Sequence, residues 1–295
     1  MLSRRTLLKS TLALAGMSAI SRDLLADPVS GSKVKSRFNI GACDWSIQKA
    51  NSVEAMELAS RIGLDGVQLS LGTVDNDMHL RRKDMQEAYK AAGKKHGVRI
   101  GGLAIGELNN IPYKSDPRTE AWVSDSIDVA KAIGVKTVLL AFFHKGDLKN
   151  DPEGQKVVIE RLRKVAPKAE KQGIILGIES WLSAQEHVDI IQAVGSKNVQ
   201  VYYDVANSHQ MGYNIYEEIR WLGKNQICEI HAKENGYLLG QGKIDFKEVR
   251  KAIDDIGYTG WVQIEGAIPE KKEVLESYQQ NNQFLRGIFP ESKRS

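Results

Sequence analysis

The chain has 295 residues, 42% hydrophobic and 26% charged, enough for one large core or two small ones. Its formal net charge of +4 belongs mostly to the first 26 residues, which hold Arg4, Arg5, Lys9 and Arg22 against Asp23. Without them the net charge is +1, which leaves no electrostatic case for nucleic-acid binding.

Residues 1–26 read as an export leader. Ser3-Arg4-Arg5-Thr6-Leu7-Leu8-Lys9 is followed by the apolar run Ser10 to Ile20, and a small-residue cleavage site fits after Ala26. The paired arginines resemble a twin-arginine signal, which implies export of an already folded protein and a periplasmic location. Residues 27–37 are polar and read as a flexible linker. No other run is apolar enough to cross a membrane, so no membrane insertion is expected once the leader is removed.

From Phe38 onward strand and helix signals alternate. Strands are expected at 38–43, 66–71, 98–105, 135–143, 174–179, 199–204, 226–231 and 261–265. Amphipathic helical runs follow at 53–62, 80–96, 118–133, 152–172, 184–194, 216–223, 246–256 and 271–289. Within the third run, Glu120, Val123, Ile127 and Ala130 recur at helical spacing. Asn51-Ser52-Val53-Glu54 and Ser183-Ala-Gln-Glu186 place a capping group ahead of a carboxylate. Gly63, Gly97, Gly134, Gly173 and Gly257 stand where helices should stop.

Unbroken alternation implies parallel strands. Eight such units over residues 38–290 fit a single-domain α/β fold, the (β/α)8 TIM barrel. A doubly wound open sheet normally shows a glycine-rich phosphate loop after its first strand. Cys43-Asp44-Trp45-Ser46 has no glycine there, and Gly240-Gln-Gly242 is too little for a nucleotide site.

Four consecutive apolar runs end in a potential metal ligand: Gly-Ile-Glu179, Val-Tyr-Tyr-Asp204, Glu-Ile-His231 and Val-Gln-Ile-Glu265. One charged strand end is ordinarily solvated. Four at equivalent places predict convergence on one polar site at the C-terminal mouth of the barrel. Three carboxylates and an imidazole suit one divalent ion: Mn, Mg, Co or Zn.

The segments Gly-Ile-Glu179, Tyr-Asp204-Val-Ala-Asn, Ile-His231-Ala-Lys-Glu and Val-Gln-Ile-Glu265-Gly together resemble the xylose-isomerase-like superfamily of sugar isomerases and epimerases. The resemblance runs from Phe38 to about Phe289 and includes Gly41-Ala-Cys-Asp-Trp45. It implies that Glu179, Asp204, His231 and Glu265 hold the metal and that Glu179 and Glu265 act as the acid/base pair. Two positions depart from the epimerase pattern. Asn207 stands where many of these enzymes carry histidine, and Gln68 where a glutamate is common.

Other residues near strand ends are substrate-binding candidates. Lys233 lies two beyond His231, on the same side of an extended strand. Trp45 and Trp181 follow strands one and five, and His144 follows strand four. Gln68 and Asn207 complete the set. Asp44 reads as a helix cap; His79, His96 and His187 read as solvated; Cys43 and Cys228 read as buried apolar positions without a disulfide.

The expected function is a metal-dependent sugar isomerase or epimerase that abstracts a proton next to a carbonyl. A metal-dependent lyase or dehydratase on an oxidised sugar or glycoside is the alternative. A non-catalytic carbohydrate- or metal-binding barrel outside the cytoplasm is the alternative of another class. An apurinic-endonuclease-like phosphodiesterase would need more histidines at strand ends than His231 alone. The expected partner is a small-molecule sugar or sugar derivative; a homo-oligomer is allowed but not specified.

Overall fold

Eight parallel strands close into a barrel in sequence order, each neighbour hydrogen-bonded to the next and β8 back to β1. The computed structural model describes residues 37–290. The leader, and the linker apart from Arg37, lie outside the described residues. In chain order the strands are β1 (Phe38–Cys43), β2 (Gly66–Ser70), β3 (Arg99–Ile105), β4 (Thr137–Phe142), β5 (Ile175–Ser180), β6 (Val199–Asp204), β7 (Ile227–Glu234) and β8 (Gly260–Gly266). The helices are α1 (Ala55–Ile62), α2 (Lys83–His96), α3 (Arg118–Ile133), α4 (Pro152–Gln172), α5 (Ala184–Val194), α6 (Val205–Gln210), α7 (Ile215–Leu222), α8 (Phe246–Asp255) and α9 (Val274–Ile288). Among the described residues no helix is long and apolar enough to cross a membrane.

Two apolar cores result. The larger lies between strands and helices, where Ile40, Leu69, Leu140, Ile178, Ile230 and Ile264 pack outward on helical residues such as Met56, Val123 and Ile253. Each such buried side chain contributes about 1.5–3 kcal/mol. The smaller cluster holds Ala104, Leu139, Ala141 and Tyr202, with Cys228 against it. Beside it sit buried polar side chains, Gln68, Glu229 and Gln263. Gly41 makes room for Gln263, since a Cβ there would come within 2.1 Å of its Oε1.

The register of β7 explains part of this arrangement. Val201 pairs with Ile227 but Tyr202 pairs with Glu229, so Cys228 is an extra residue. A bulge of this kind re-aims the side chains that follow. Ile227, Ile230 and Ala232 then pack in the outer core, while Glu229 and His231 share the interior with Tyr202. The sequence contains no turn residue that would announce this slip.

Helix stops follow the glycines. Gly63, Gly97, Gly134 and Gly173 close α1 to α4 with left-handed backbone, and Gly195 does the same for α5. Ser183 and Glu186 form the expected capping box. Over 51–54 Ser52 Oγ accepts from the Glu54 N–H at 3.3 Å, but α1 itself begins at Ala55 without a side-chain cap.

Four further expectations are corrected. Asp44 caps no helix: buried, it accepts from the Ser70 N–H (2.9 Å) and Ser70 Oγ (2.6 Å), tying β1 to β2. His79 and His187 are buried rather than solvated. His187 Nδ1 donates to the Ser183 carbonyl and Nε2 accepts from Ser180 Oγ, both at 2.9 Å. Cys43 is buried but in polar company, 3.2 Å from Gln68 Oε1 and 3.3 Å from His231 Nε2. Burial pushes its thiol up to about 12. Cys43 and Cys228 are both free.

Candidate metal centre

The barrel brings Glu179, Asp204, His231 and Glu265 to one place. Their ligand atoms all lie within 4.8 Å of one another. The strands do this by register: Asp204 pairs with His231 across β6 and β7, and Lys233 with Glu265 across β7 and β8. His231 Nδ1 stands 2.9 Å from Glu179 Oε1, 3.5 Å from Glu265 Oε2 and 3.7 Å from Asp204 Oδ2.

Each ligand is oriented by its surroundings. Asp204 is the N-cap of α6, a helix absent from the sequence-based expectation; its Oδ1 accepts from the N–H groups of Ala206 (2.7 Å) and Asn207 (2.8 Å). That leaves Oδ2 turned to the centre, buried and without a hydrogen-bond partner. Glu265 accepts from Trp45 Nε1 (2.8 Å) on one oxygen and from Lys233 Nζ (2.8 Å) on the other. Nε2 of His231 donates to Gln68 Oε1 at 2.9 Å, which leaves Nδ1 facing the carboxylates. Gln68 in turn donates to the Tyr202 hydroxyl (3.1 Å), and Tyr202 donates to Glu229 (3.0 Å). The expectation that Gln68 meets substrate is therefore corrected: it is fully buried and positions His231 from below.

The electrostatics follow from burying three carboxylates together. Burial raises Glu179 to about 7 against the pull of His231, with Glu265 and Asp204 adding to the rise. Burial would raise Glu265 as well, but the charges of Lys233 and His231 prevail and bring it down to about 2. Burial lowers His231, yet the negative charges around it win and hold the imidazole well above its ordinary range. Lys233 is likewise held above its usual value by Asp204, Glu265 and Glu179, against burial. Three buried carboxylates thus face only two cationic side chains, His231 and Lys233, each of which they hold protonated. The orphaned Asp204 oxygen and the mixed oxygen/nitrogen donors fit a divalent cation.

Above the centre opens a cavity of about 610 Å³. Glu179 and Glu265 line it; Asp204 and His231 do not. Trp45, Trp181, His144, Asn207 and Lys233 also line it, as the sequence suggests. Trp181 meets His144 edge-on at 6.0 Å between centroids. The opposite wall was not anticipated. It comes from residues after the first three strands, among them Asn51, Thr73, Glu107 and Asn109. Their position just past strand ends was the available signal.

A family model described as "Xylose isomerase-like TIM barrel" matches residues 56–288. The chain belongs to that family. It is similar to a D-psicose 3-epimerase of Enterocloster bolteae, 21% identical over 252 residues, covering 79% of this chain and 82% of the relative. Among solved structures, the D-psicose 3-epimerase of Clostridium cellulolyticum H10 with D-tagatose superposes with a TM-score of 0.72 at 20% identity, covering 85% of this chain and 99% of that one. A 3-keto-D-glucoside 4-epimerase of E. coli in apo form gives 0.70 at 17% identity, with the same coverage.

Proposed function

We propose that the protein is a metal-dependent sugar isomerase or epimerase that removes and returns a proton on a carbon next to a carbonyl. One observation carries the reading. Four converging ligand groups include two carboxylates, Glu179 and Glu265, that also face the cavity, and two groups, Asp204 and His231, that do not. The first pair has access to substrate and the second has only the ion to serve. The epimerases similar to this chain support the same class, and the lyase alternative finds no support among them.

Glu179, Asp204, His231 and Glu265 would hold the ion. A bound divalent ion would supply Lewis acidity, worth several kcal/mol of stabilisation to negative charge developing on a substrate oxygen. The protein's own groups do the rest. Glu265, fixed by Trp45 and Lys233, is an oriented carboxylate able to take a proton from carbon. Glu179 is the second carboxylate, able to return one. The Lys233 ammonium in the mouth can donate to a substrate oxygen, and the faces of Trp45 and Trp181 can pack on a sugar ring. Export to the periplasm is part of the proposal and is supported by the twin-arginine-like leader alone.

The test is proton exchange. Purified protein loaded with Mn²⁺ is incubated in D2O with a panel of ketoses and 3-oxidised sugars. Deuterium is expected at one carbon next to the carbonyl, with at least about 100-fold less in Glu265→Gln. Bound metal without exchange on any sugar would favour the non-catalytic binding barrel. Failure of the wild type to bind a divalent ion would refute the metal centre.

A further inference from the structure

The main cavity has a neighbour. A second cavity of about 400 Å³ adjoins it, and Gln210 and Asn235 line both. Their side chains meet in a hydrogen bond of 3.1 Å, so a single bridge between exposed side chains marks the boundary. The walls of the second cavity extend from the elements that bear the metal ligands. Asp204 caps α6, which contributes His209 and Gln210, and His231 precedes Glu234 on β7. Each cavity falls in the range of about 300–1,000 Å³ that holds a small organic ligand.

Glu234 is the informative residue. It lines the second cavity and is only 3% exposed. Its Oε1 accepts from the Lys243 N–H at 2.9 Å, the Ile244 N–H also serves the carboxylate, and Oε2 is buried without a well-formed hydrogen bond of its own. The loop holding it is built around the carboxylate: a Cβ on Gly242 would lie 2.3 Å from the carboxyl carbon. A buried acceptor left unpaired is costly. An ionised carboxylate can only accept, so its missing partner is a donor.

The neighbours narrow the donor's chemistry. Lys243 and His209 also line this cavity, so a cationic ligand would meet the like charge of Lys243. A hydroxyl can donate to Glu234 and accept from Lys243 or His209. Tyr237 stands at the rim, 49% exposed, and offers an aromatic face with a polar tip. A carboxylate, the Lys243 ammonium, an imidazole and an exposed aromatic face match a ring that has several hydroxyls on its edge and C–H groups on its face.

We propose that the second cavity is a subsite for a second polyhydroxylated ring, so that the substrate is a glycoside rather than a free monosaccharide. The proposal rests on the reading of the metal centre as the place where a sugar is enolised. The reacting ring occupies the main cavity against Glu179 and Glu265. The second ring passes the Gln210–Asn235 bridge and meets Glu234 and Tyr237.

Two measurements on the full Mn²⁺-loaded protein test it separately from that reading. Calorimetry compares glucose with cellobiose, maltose and trehalose. At least one disaccharide is expected to bind about tenfold more tightly than glucose, the worth of one or two well-made contacts. Tyr237→Ala, on the surface, and Glu234→Gln, in the wall, should each narrow that gap. Equal binding of glucose and every disaccharide, or a gap unchanged in both variants, overturns the subsite. Deuterium exchange is then compared for 3-keto-glucose and the 3-keto disaccharides. Faster exchange on a disaccharide, with the advantage lost in Tyr237→Ala, supports both readings. A persistent binding gap with no exchange on any sugar overturns the enolisation reading and leaves the subsite standing.

Discussion

His231 uses its two ring nitrogens differently, and Gln68 decides which does what. By accepting from Nε2 at 2.9 Å, Gln68 fixes the tautomer that leaves Nδ1 free for a metal. A ligand's outer hydrogen bond commonly sustains 10–100-fold in metal affinity. Gln68→Leu is therefore expected to weaken Mn²⁺ binding by about that factor in a calorimetric titration. Gln68→Glu keeps an acceptor in place and should recover most of the loss. If Gln68→Leu binds Mn²⁺ as tightly as the wild type, the bond from below has no role in affinity. The residue also shows a limit of pattern reading. Its proximity to a strand end suggested substrate contact, but only the barrel interior reveals that it points down to a histidine from another strand.

Two elements carry more than their periodicity suggests. α6 exists because Asp204 caps it, so one carboxylate both starts a helix and offers its other oxygen to the centre. α5 is pinned by His187, whose ring bridges Ser183 in the cap and Ser180 at the end of β5. Burial is the main cause that drives His187 down to about 4, from an ordinary value of 6.5. The sign follows directly. Between pH 6.5 and 4 the unfolded chain binds a proton that the folded chain refuses, so stability falls as pH falls through this window. The loss is about 3 kcal/mol once both forms are below their transitions. Urea unfolding at pH 7 and pH 4.5 should show a smaller acid loss in His187→Asn than in the wild type. Equal losses would mean that other groups account for the acid limb.

At the scale of the whole molecule, the four proposed ligands sit on four adjacent strands, so an ion bound there would tie β5 to β8 together. Anything that binds only the folded state stabilises it by mass action. Mn²⁺ at about 100 times its dissociation constant should add about 2.7 kcal/mol. For a domain of this size that corresponds to a rise in Tm of roughly 5–10 °C. Chelation should reverse it, and Asp204→Ala should abolish it. A Tm indifferent to Mn²⁺ in the wild type would contradict the metal centre. The end of the chain is packed back on the first strand: Phe38 and Phe289 meet edge-on at 4.8 Å, with Arg250 stacked on both.

The architecture and the convergence of the four candidate ligands were legible locally. Strand periodicity, glycine helix stops and a carboxylate or imidazole in the C-terminal half of each of four strands are properties of contiguous segments, and in a closed parallel barrel strand ends share one rim. That geometry turns four separate observations into one prediction about Glu179, Asp204, His231 and Glu265. What depends on partners distant in sequence had no local signature. The slip at Cys228 that leaves Glu229 and His231 on the interior side, the hydrogen bond from Gln68 to His231, the burial of Asp44, His79 and His187, and the adjoining cavity around Glu234 arise only when eight strands close and fix a register. A side chain's type is written in the sequence, but its partner is chosen by the packing, because hydrogen bonds and burial act over a few ångströms between residues far apart along the chain.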